Sequence, residues 1–325
     1  AGSKQQLTLA TTTCVGTSSP SELAELVPFV ALSEMAQEPA DLLLHVGDIV
    51  YNDGALTAED YAASWGAQLS QAGYRELLAS TSWFMSWDDH EVTDNYDPET
   101  IDPARFAIAQ DAFFSHVARR RDEASRVWTS HQWGDTATIV VTDLRSERKP
   151  SPLGTPAAEF VSPAQLEFIK TTLANSTAHF KIVFSSVNMT AMPGAWMTPL
   201  SLNDRWSGYA AQRTELLQFI KDSDIKNVWF IAGDIHMGFV GRIDRPGDAD
   251  DGAFDNMWEL PVGPGASDVN PLGLLYEDGL SIDTILPEDQ FVFGHGRSQV
   301  ATKLILDPGT DTIRAIYTDV LTDEV

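Results

Sequence analysis

The most constraining feature of this 325-residue sequence is a pattern that recurs at five places. A short apolar run rich in β-branched residues ends at a tight turn, and a side chain able to bind a cation follows. Cys14 follows Leu7–Thr13, Asp48 and Tyr51 follow Asp41–Val46, and Asp89 and His90 follow Trp83–Trp87. Asn188 follows Phe180–Phe184, and Asp234 and His236 follow Asn227–Ala232. Apolar runs this short, bounded by Gly or Ser, read as buried strands of a parallel or mixed sheet. Ligands just beyond strand ends converge in the crevice at the carboxyl edge of such a sheet. One Gly-Asp after a strand is commonly only a turn. Asp48, Asp89, Asp234 and His236 on separate strands are a stronger signal.

Between these runs the apolar spacing is helical over 21–36, with Pro28 inside it, and over 58–79, 103–120 and 211–221. Residues 163–173 read as a helix capped by Ser162, with Pro163 at its first position. Ala137–Val141 is a further strand that runs into Thr142-Asp143-Leu144-Arg145. Ser298–Asp307 and Thr312–Thr318 read as a hairpin around Pro308-Gly309-Thr310. Residues 246–288 are rich in Gly, Pro and Asp, so a loop-rich insertion is expected over about 246–296. Several strands are followed by loops and not by crossover helices. The expectation is one α/β domain over residues 1–325, with two facing mixed sheets.

Charge narrows the function classes. Forty-seven Asp and Glu against 21 Lys and Arg give a formal net charge of −26. Such a surface repels nucleic acid backbones and anionic membranes. No apolar run is long enough to span a bilayer. The N-terminus shows no basic-then-apolar leader, which fits a mature extracellular or periplasmic chain as well as a cytoplasmic one. An anionic substrate would need a local positive field here, and metal ions supply one.

The residue types point to particular ions. A carboxylate can bridge two cations about 3.5–4 Å apart. Asp48 is the best bridge, because Gly47 permits a sharp turn before it, and Tyr51 can fold back to the same ion. Phenolate, thiolate and imidazole favour Fe(III) or Zn over Mg, whereas oxygen-rich neighbours suit Ca, Mg, Mn or Zn. Cys14 is the sole cysteine and cannot form an intrachain disulfide, so it is buried filler, a nucleophile or a metal ligand. His45, inside its strand, reads as a packed histidine, and Asp88, Glu91 and Asp143 as hydrogen-bond supports. Arg145 and Arg148 suit phosphate oxygens, or pair with neighbouring acids. His295 lies between glycines beside Arg297 and is a further candidate, whereas His116, His131 and His179 look ordinary. Trp87, Tyr96 and Trp196 are core residues or the walls of a leaving-group pocket. The sequence has no Gly-x-Ser-x-Gly elbow.

His45-Val-Gly-Asp48-Ile-Val-Tyr51, Trp87-Asp-Asp-His-Glu91, Thr142-Asp-Leu-Arg145 and Gly233-Asp-Ile-His236 together resemble the PhoD-like alkaline phosphatases. These are calcineurin-like metallophosphoesterases, related in site design to purple acid phosphatases. The resemblance implies an α/β fold, a four-layer αββα sandwich of two mixed β-sheets flanked by helices. It implies Fe(III) on Cys14, Asp48, Tyr51 and His236. A second ion, Ca or else Zn, Mn or Mg, would sit on Asp89 and Asp234 with Asp48 bridging, and Asn188 joins them as a candidate from its strand-end position and not from the resemblance. His90 would contact the phosphoryl group or protonate the leaving oxygen, and Arg145 would hold the substrate. The substrate would be a phosphomonoester or phosphodiester, attacked by an activated water. Three places depart from the family pattern: Val15-Gly16 after the cysteine, Val92–Tyr96 after the Trp-Asp-Asp-His-Glu motif, and Val187-Asn188. Other readings stay open on these residues: a non-catalytic metal- or phosphate-binding protein, a hydrolase of a phospholipid or nucleotide, and a Ser- or Cys-based hydrolase.

Overall fold

A computed structural model of the chain describes residues 4–16, 29–197, 202–246, 254–280 and 282–322. Strands β1 (Leu7–Thr12), β2 (Leu42–His45), β3 (Trp83–Met85), β11 (Val300–Asp307) and β12 (Thr312–Asp319) form one sheet in the order β12-β11-β1-β2-β3. Strands β4 (Thr129–Trp133), β5 (Ala137–Val141), β6 (Phe180–Phe184), β7 (Val228–Ala232), β8 (Gly238–Arg242), β9 (Trp258–Pro261) and β10 (Phe291–His295) form the other, in the order β10-β8-β9-β7-β6-β5-β4. Both sheets are mixed. β1, β2 and β3 run parallel, as do β5, β6, β7 and β9, and antiparallel strands close the flanks.

Side-chain alternation explains why the sheets face each other. Leu7, Leu9, Leu42 and Leu44 from one sheet pack with Ile139, Val141, Ile182, Phe184 and Ile231 from the other. Ala10 and Leu43, at the intervening positions, face helices α1 (Val30–Gln37), α2 (Ala58–Leu69), α3 (Ala72–Ser80) and α4 (Pro103–His116). Val140, Val183 and Phe230 likewise face α5 (Pro163–Asn175) and α6 (Ala210–Asp222). A strand with apolar residues on both faces must be covered on both, and the αββα sandwich provides that. The expected architecture is the observed one.

The structure corrects several element boundaries. The helix expected over 58–79 is two helices, α2 and α3, separated at Ser70-Gln71. Gly73, in the first turn of α3, lets that helix pack closely on the start of α1: a Cβ there would lie 2.5 Å from the Phe29 carbonyl oxygen. Of the helix expected over 21–36, residues 21–28 lie outside the described residues, and α1 occupies 30–37. The 103–120 helix stops at His116. The stretch 246–288 is not uniformly loop. It contains β9, in the middle of the larger sheet, and helices α7 (Pro271–Glu277) and α8 (Ile282–Ile285). Glu259 and Pro261 are poor strand residues by intrinsic preference. Glu259 is tolerated because its buried carboxylate accepts the backbone N–H groups of Met189 (2.7 Å) and Thr190 (2.9 Å).

Candidate active site

The carboxyl edges of the two sheets meet where Thr13, just after β1, bridges to Pro264, just after β9. Loops from both sheets therefore deliver side chains to one place. Cys14, Asp48, Asp234 and His236 all adopt positive φ, between 51° and 68°. Such conformations cost roughly 1–3 kcal/mol each in non-glycine residues and cluster where a site requires them. Here four candidate ligands share them, and each turns sharply out of its strand.

The side chains form three overlapping clusters. Cys14, Asp48 and His236 make one, Asp48, Asp89 and His90 the second, and Asp88, Asp89 and Asp234 the third. Within each, one ligand atom per residue lies within 4.8 Å of the others. Asp48 belongs to two clusters and Asp89 to two, the positions of bridging ligands. Cys14 Sγ lies 3.4 Å from Asp48 Oδ2. Asp48 Oδ1 is buried and has no hydrogen-bond partner. An uncompensated buried carboxylate oxygen is costly, and a cation would satisfy it. The donor set therefore fits metal ions.

The electrostatics agree with that fit. Burial pushes the Cys14 thiol well above its usual value, and the Asp48 charge adds to the effect. Burial likewise raises Asp48, against the pull of the His90 charge. Asp234 is raised to about 7 by burial and then by Asp88, with Arg145 and Arg205 opposing. This many acids cannot all ionise side by side without cations between them, and a bound dication reverses the effect.

The remaining expected residues fall as follows. Tyr51 is buried, its hydroxyl lies 2.8 Å from Ser267 Oγ, and its ring stacks on His90 with centroids 3.9 Å apart. Burial raises its hydroxyl, and the charges of Asp48 and Cys14 raise it further, which places it beside the first cluster. Asn188 is buried in the loop after β6, its side-chain nitrogen and oxygen without hydrogen-bond partners, beside Glu259. Arg145 is fully buried among acids. It ion-pairs with Asp88, Asp89 (3.4 Å), Asp204 (2.7 Å) and Asp234 (3.2 Å), so its donors tie ligand loops together. Arg148 bonds Asp204 and the carbonyls of Asn203 and Tyr96.

His90 is held by a residue the sequence reading passed over. Its Nδ1 lies 2.8 Å from Asp53 Oδ1, and that carboxylate oxygen also accepts the Asp94 N–H at 2.7 Å. Burial alone would lower the imidazole, but the charges of Asp48, Asp53 and Asp89 raise it to about 11. The only signal for Asp53 was its place in Asn52-Asp53-Gly54, which reads as an ordinary turn. Asp88, expected as a support, stands among the possible ligands. Glu91 is a support: its two carboxylate oxygens accept Ile49 N–H (2.5 Å) and Asp88 N–H (2.8 Å), joining the loops after β2 and β3. Asp143 accepts the Trp87 indole N–H at 2.9 Å.

Other candidates lie elsewhere. His45 packs against Tyr74, its Nε2 2.8 Å from the hydroxyl. His295, on β10, contacts Glu277, Ser298 and Asp319 and joins none of the three clusters. Trp87, Tyr96 and Trp196 are buried, and Trp196 donates its indole N–H to the Ile285 carbonyl.

Residues 9–278 match the family model of PhoD-like phosphatases. The chain belongs to the PhoD-like phosphatase family. It is 25% identical over 258 residues to alkaline phosphatase D of Bacillus subtilis (strain 168), which covers 66% of this chain and 44% of that protein. A solved structure of PhoD superposes with a TM-score of 0.79 at 21% identity, over 94% of this chain and 65% of that one. Purple acid phosphatase PPD1 from yellow lupin (Lupinus luteus) seeds superposes with a TM-score of 0.66 at 14% identity, over 100% of this chain and 53% of that one. These two superpositions establish the fold. The chain spans less than half the length of the curated relative. Among the described residues no helix is long and apolar enough to cross a membrane.

Proposed function

We propose that this chain hydrolyses phosphomonoesters or phosphodiesters with the help of bound metal ions. The observation that carries the reading is the run of three overlapping ligand clusters that share Asp48 and Asp89, with His90 at its edge, in a PhoD-like chain. Cys14, Asp48, Tyr51 and His236 would hold one ion, and their thiolate, phenolate and imidazole donors favour Fe(III). Asp48, Asp89, Asp234 and Asn188, with Asp88, would hold a second, and their oxygens favour Ca, with Zn, Mn or Mg as substitutes. Bound there, the cations supply charge neutralisation of the phosphoryl oxygens and an acidified water.

The protein's own groups do the rest. His90 donates a proton or hydrogen bond to the ester oxygen as it leaves. Asp53 fixes the ring by accepting from Nδ1, which leaves Nε2 for the substrate. Tyr51, stacked on the same ring, limits its rotation. Arg145 keeps Asp88, Asp89 and Asp234 in register and contributes positive charge behind them. Residues 1–325 act here as one catalytic domain. The acidic surface and the single buried cysteine suit an extracellular or periplasmic setting.

The test is Asp48→Asn, assayed on a chromogenic monoester and a diester alongside elemental analysis of the purified protein. Loss of hydrolysis and of bound metal in a folded variant supports the reading. Full activity in that variant overturns it.

A further inference from the structure

The segment Leu202–Tyr209 crosses the candidate site and carries a guanidinium that the ligand network leaves unused. Asp204 accepts from Arg145 Nη1 at 2.7 Å and also pairs with Arg148. Trp206 donates its indole N–H to Ser185 Oγ at 3.3 Å, and the next residue, Ser186, bonds Asp88 at 2.8 Å. Both neighbours of Arg205 are thus anchored on site elements. Arg205 itself is only 6% exposed. Among the described residues its guanidinium makes no hydrogen bond or ion pair. The charges it feels are those of Asp234, Asp204 and Arg145, and burial outweighs the two acids and lowers its pKa.

This contrasts with Arg145, whose donors are spent on four carboxylates, and with Arg148, whose terminal nitrogens bond Asp204 and two carbonyls. Arg148 Nε is the one buried guanidine nitrogen without a partner among the described residues, whereas the unpaired donors of Arg205 keep access to solvent and so to an incoming ligand. The planar fork of Arg205 matches two oxygens of a tetrahedral phosphoryl group. We propose that Arg205 is the substrate-binding arginine of this site, taking non-bridging oxygens of the phosphoryl group at the cluster that contains Asp234. The assignment rests on the phosphoesterase reading above for the identity of the substrate. In a protein of net charge −26 it supplies the fixed positive charge that an anion needs and that Arg145 has already given to the acids.

The probe is inorganic phosphate, titrated calorimetrically into the protein as purified with its metals, for the parent chain, Arg205→Gln and Arg205→Lys. Metal content and thermal unfolding are measured in parallel. Phosphate dissociation constants at least about tenfold higher in Arg205→Gln are expected, as for loss of a charge-assisted pair worth ~1.4 kcal/mol or more. The lysine variant, which keeps charge but not the fork, falls between, and metal content and melting temperature stay at the parent values. With an ester substrate, KM rises more than kcat falls. Unchanged phosphate affinity in Arg205→Gln overturns the assignment, and so does loss of metal, which would make Arg205 a support of the ligands. A parent chain that binds phosphate but hydrolyses no ester refutes the phosphoesterase reading, while the same titration still decides the role of Arg205. Absence of phosphate binding by the parent chain overturns it as well.

Discussion

His90 and Asp53 form a half-buried pair, with Nδ1 and Oδ1 2.8 Å apart, and the two residues belong to different strand-end loops. Asp53 lies on the loop after β2 and His90 on the loop after β3, so the pair also ties those loops together. Asp53→Asn keeps the size but removes the charge that favours the protonated ring. Its kcat is expected to fall by about 10- to 100-fold, at or below the lower end of the roughly 10²–10⁴-fold a general acid contributes because His90 itself remains, with KM and bound metal little changed. Steady-state kinetics with elemental analysis checks this. An unaltered kcat would remove His90 from proton transfer.

Gly47 has φ +107°, and a Cβ there would sit 2.7 Å from Asp88 Cβ and 2.9 Å from its backbone nitrogen. Gly47→Ala therefore meets both a strained backbone and a rigid neighbour, and the loops carrying Asp48 and Asp88 must separate. The expected cost is at least about 1–3 kcal/mol, with weakened metal retention. Denaturant unfolding and metal analysis measure the two effects. A variant as stable as the parent and fully metallated would show that these loops are softer than their packing indicates.

His45 supplies a pH dependence away from the ligands. Burial lowers its imidazole to about 3 from the ordinary 6.5. The unfolded chain then binds a proton that the folded chain refuses, so stability rises with pH in this window. The contribution is fully present above about pH 6.5 and is lost as the pH falls toward 3, at up to ~1.4 kcal/mol per pH unit. His45→Gln, which cannot titrate, is expected to be less stable at pH 7, through loss of its fit to Tyr74, yet to lose less on acidification. Urea midpoints at pH 7 and pH 5 for both proteins test the sign. An equal acid loss in the two would show that His45 does not carry it.

Cys14→Ala tests the thiolate. The Cys14 thiol is fully buried and driven toward its neutral form by burial and by Asp48, so only a cation makes its ionisation favourable. The variant is expected to lose the ion of the first cluster and most hydrolysis while remaining folded. Elemental analysis and circular dichroism read the two outcomes separately. Full metal content and activity would return Cys14 to the role of core filler.

Much of the candidate site was legible because each candidate ligand announces itself locally. The runs Leu42–His45 and Val228–Ala232 end in Gly-Asp, and turns of that kind after buried strands place carboxylates at a sheet edge whatever the rest of the chain does. The sequence points to Arg145 as a phosphate-holding arginine, and the structure places its donors on four carboxylates. Whether a guanidinium faces substrate or four carboxylates depends on Asp88, Asp204 and Asp234, which are 57, 59 and 89 residues away in sequence. Strand β9 was missed because Glu259 makes a poor strand residue until Met189 and Thr190 offer their N–H groups.

What the sequence determined by itself was the alternation of buried strands and amphipathic helices and the residue types at the strand ends. Those follow from apolar periodicity and turn chemistry, which act over a few residues. The tertiary structure decided which candidate ligands cluster together, that Asp53 holds the His90 ring, and that Arg145 and not Arg205 is engaged by four carboxylates. Those relations join loops from different strands across the meeting edges of two sheets. Their geometry is set by packing and by the cost of leaving buried charge unpaired, neither of which can be read from neighbours in the chain.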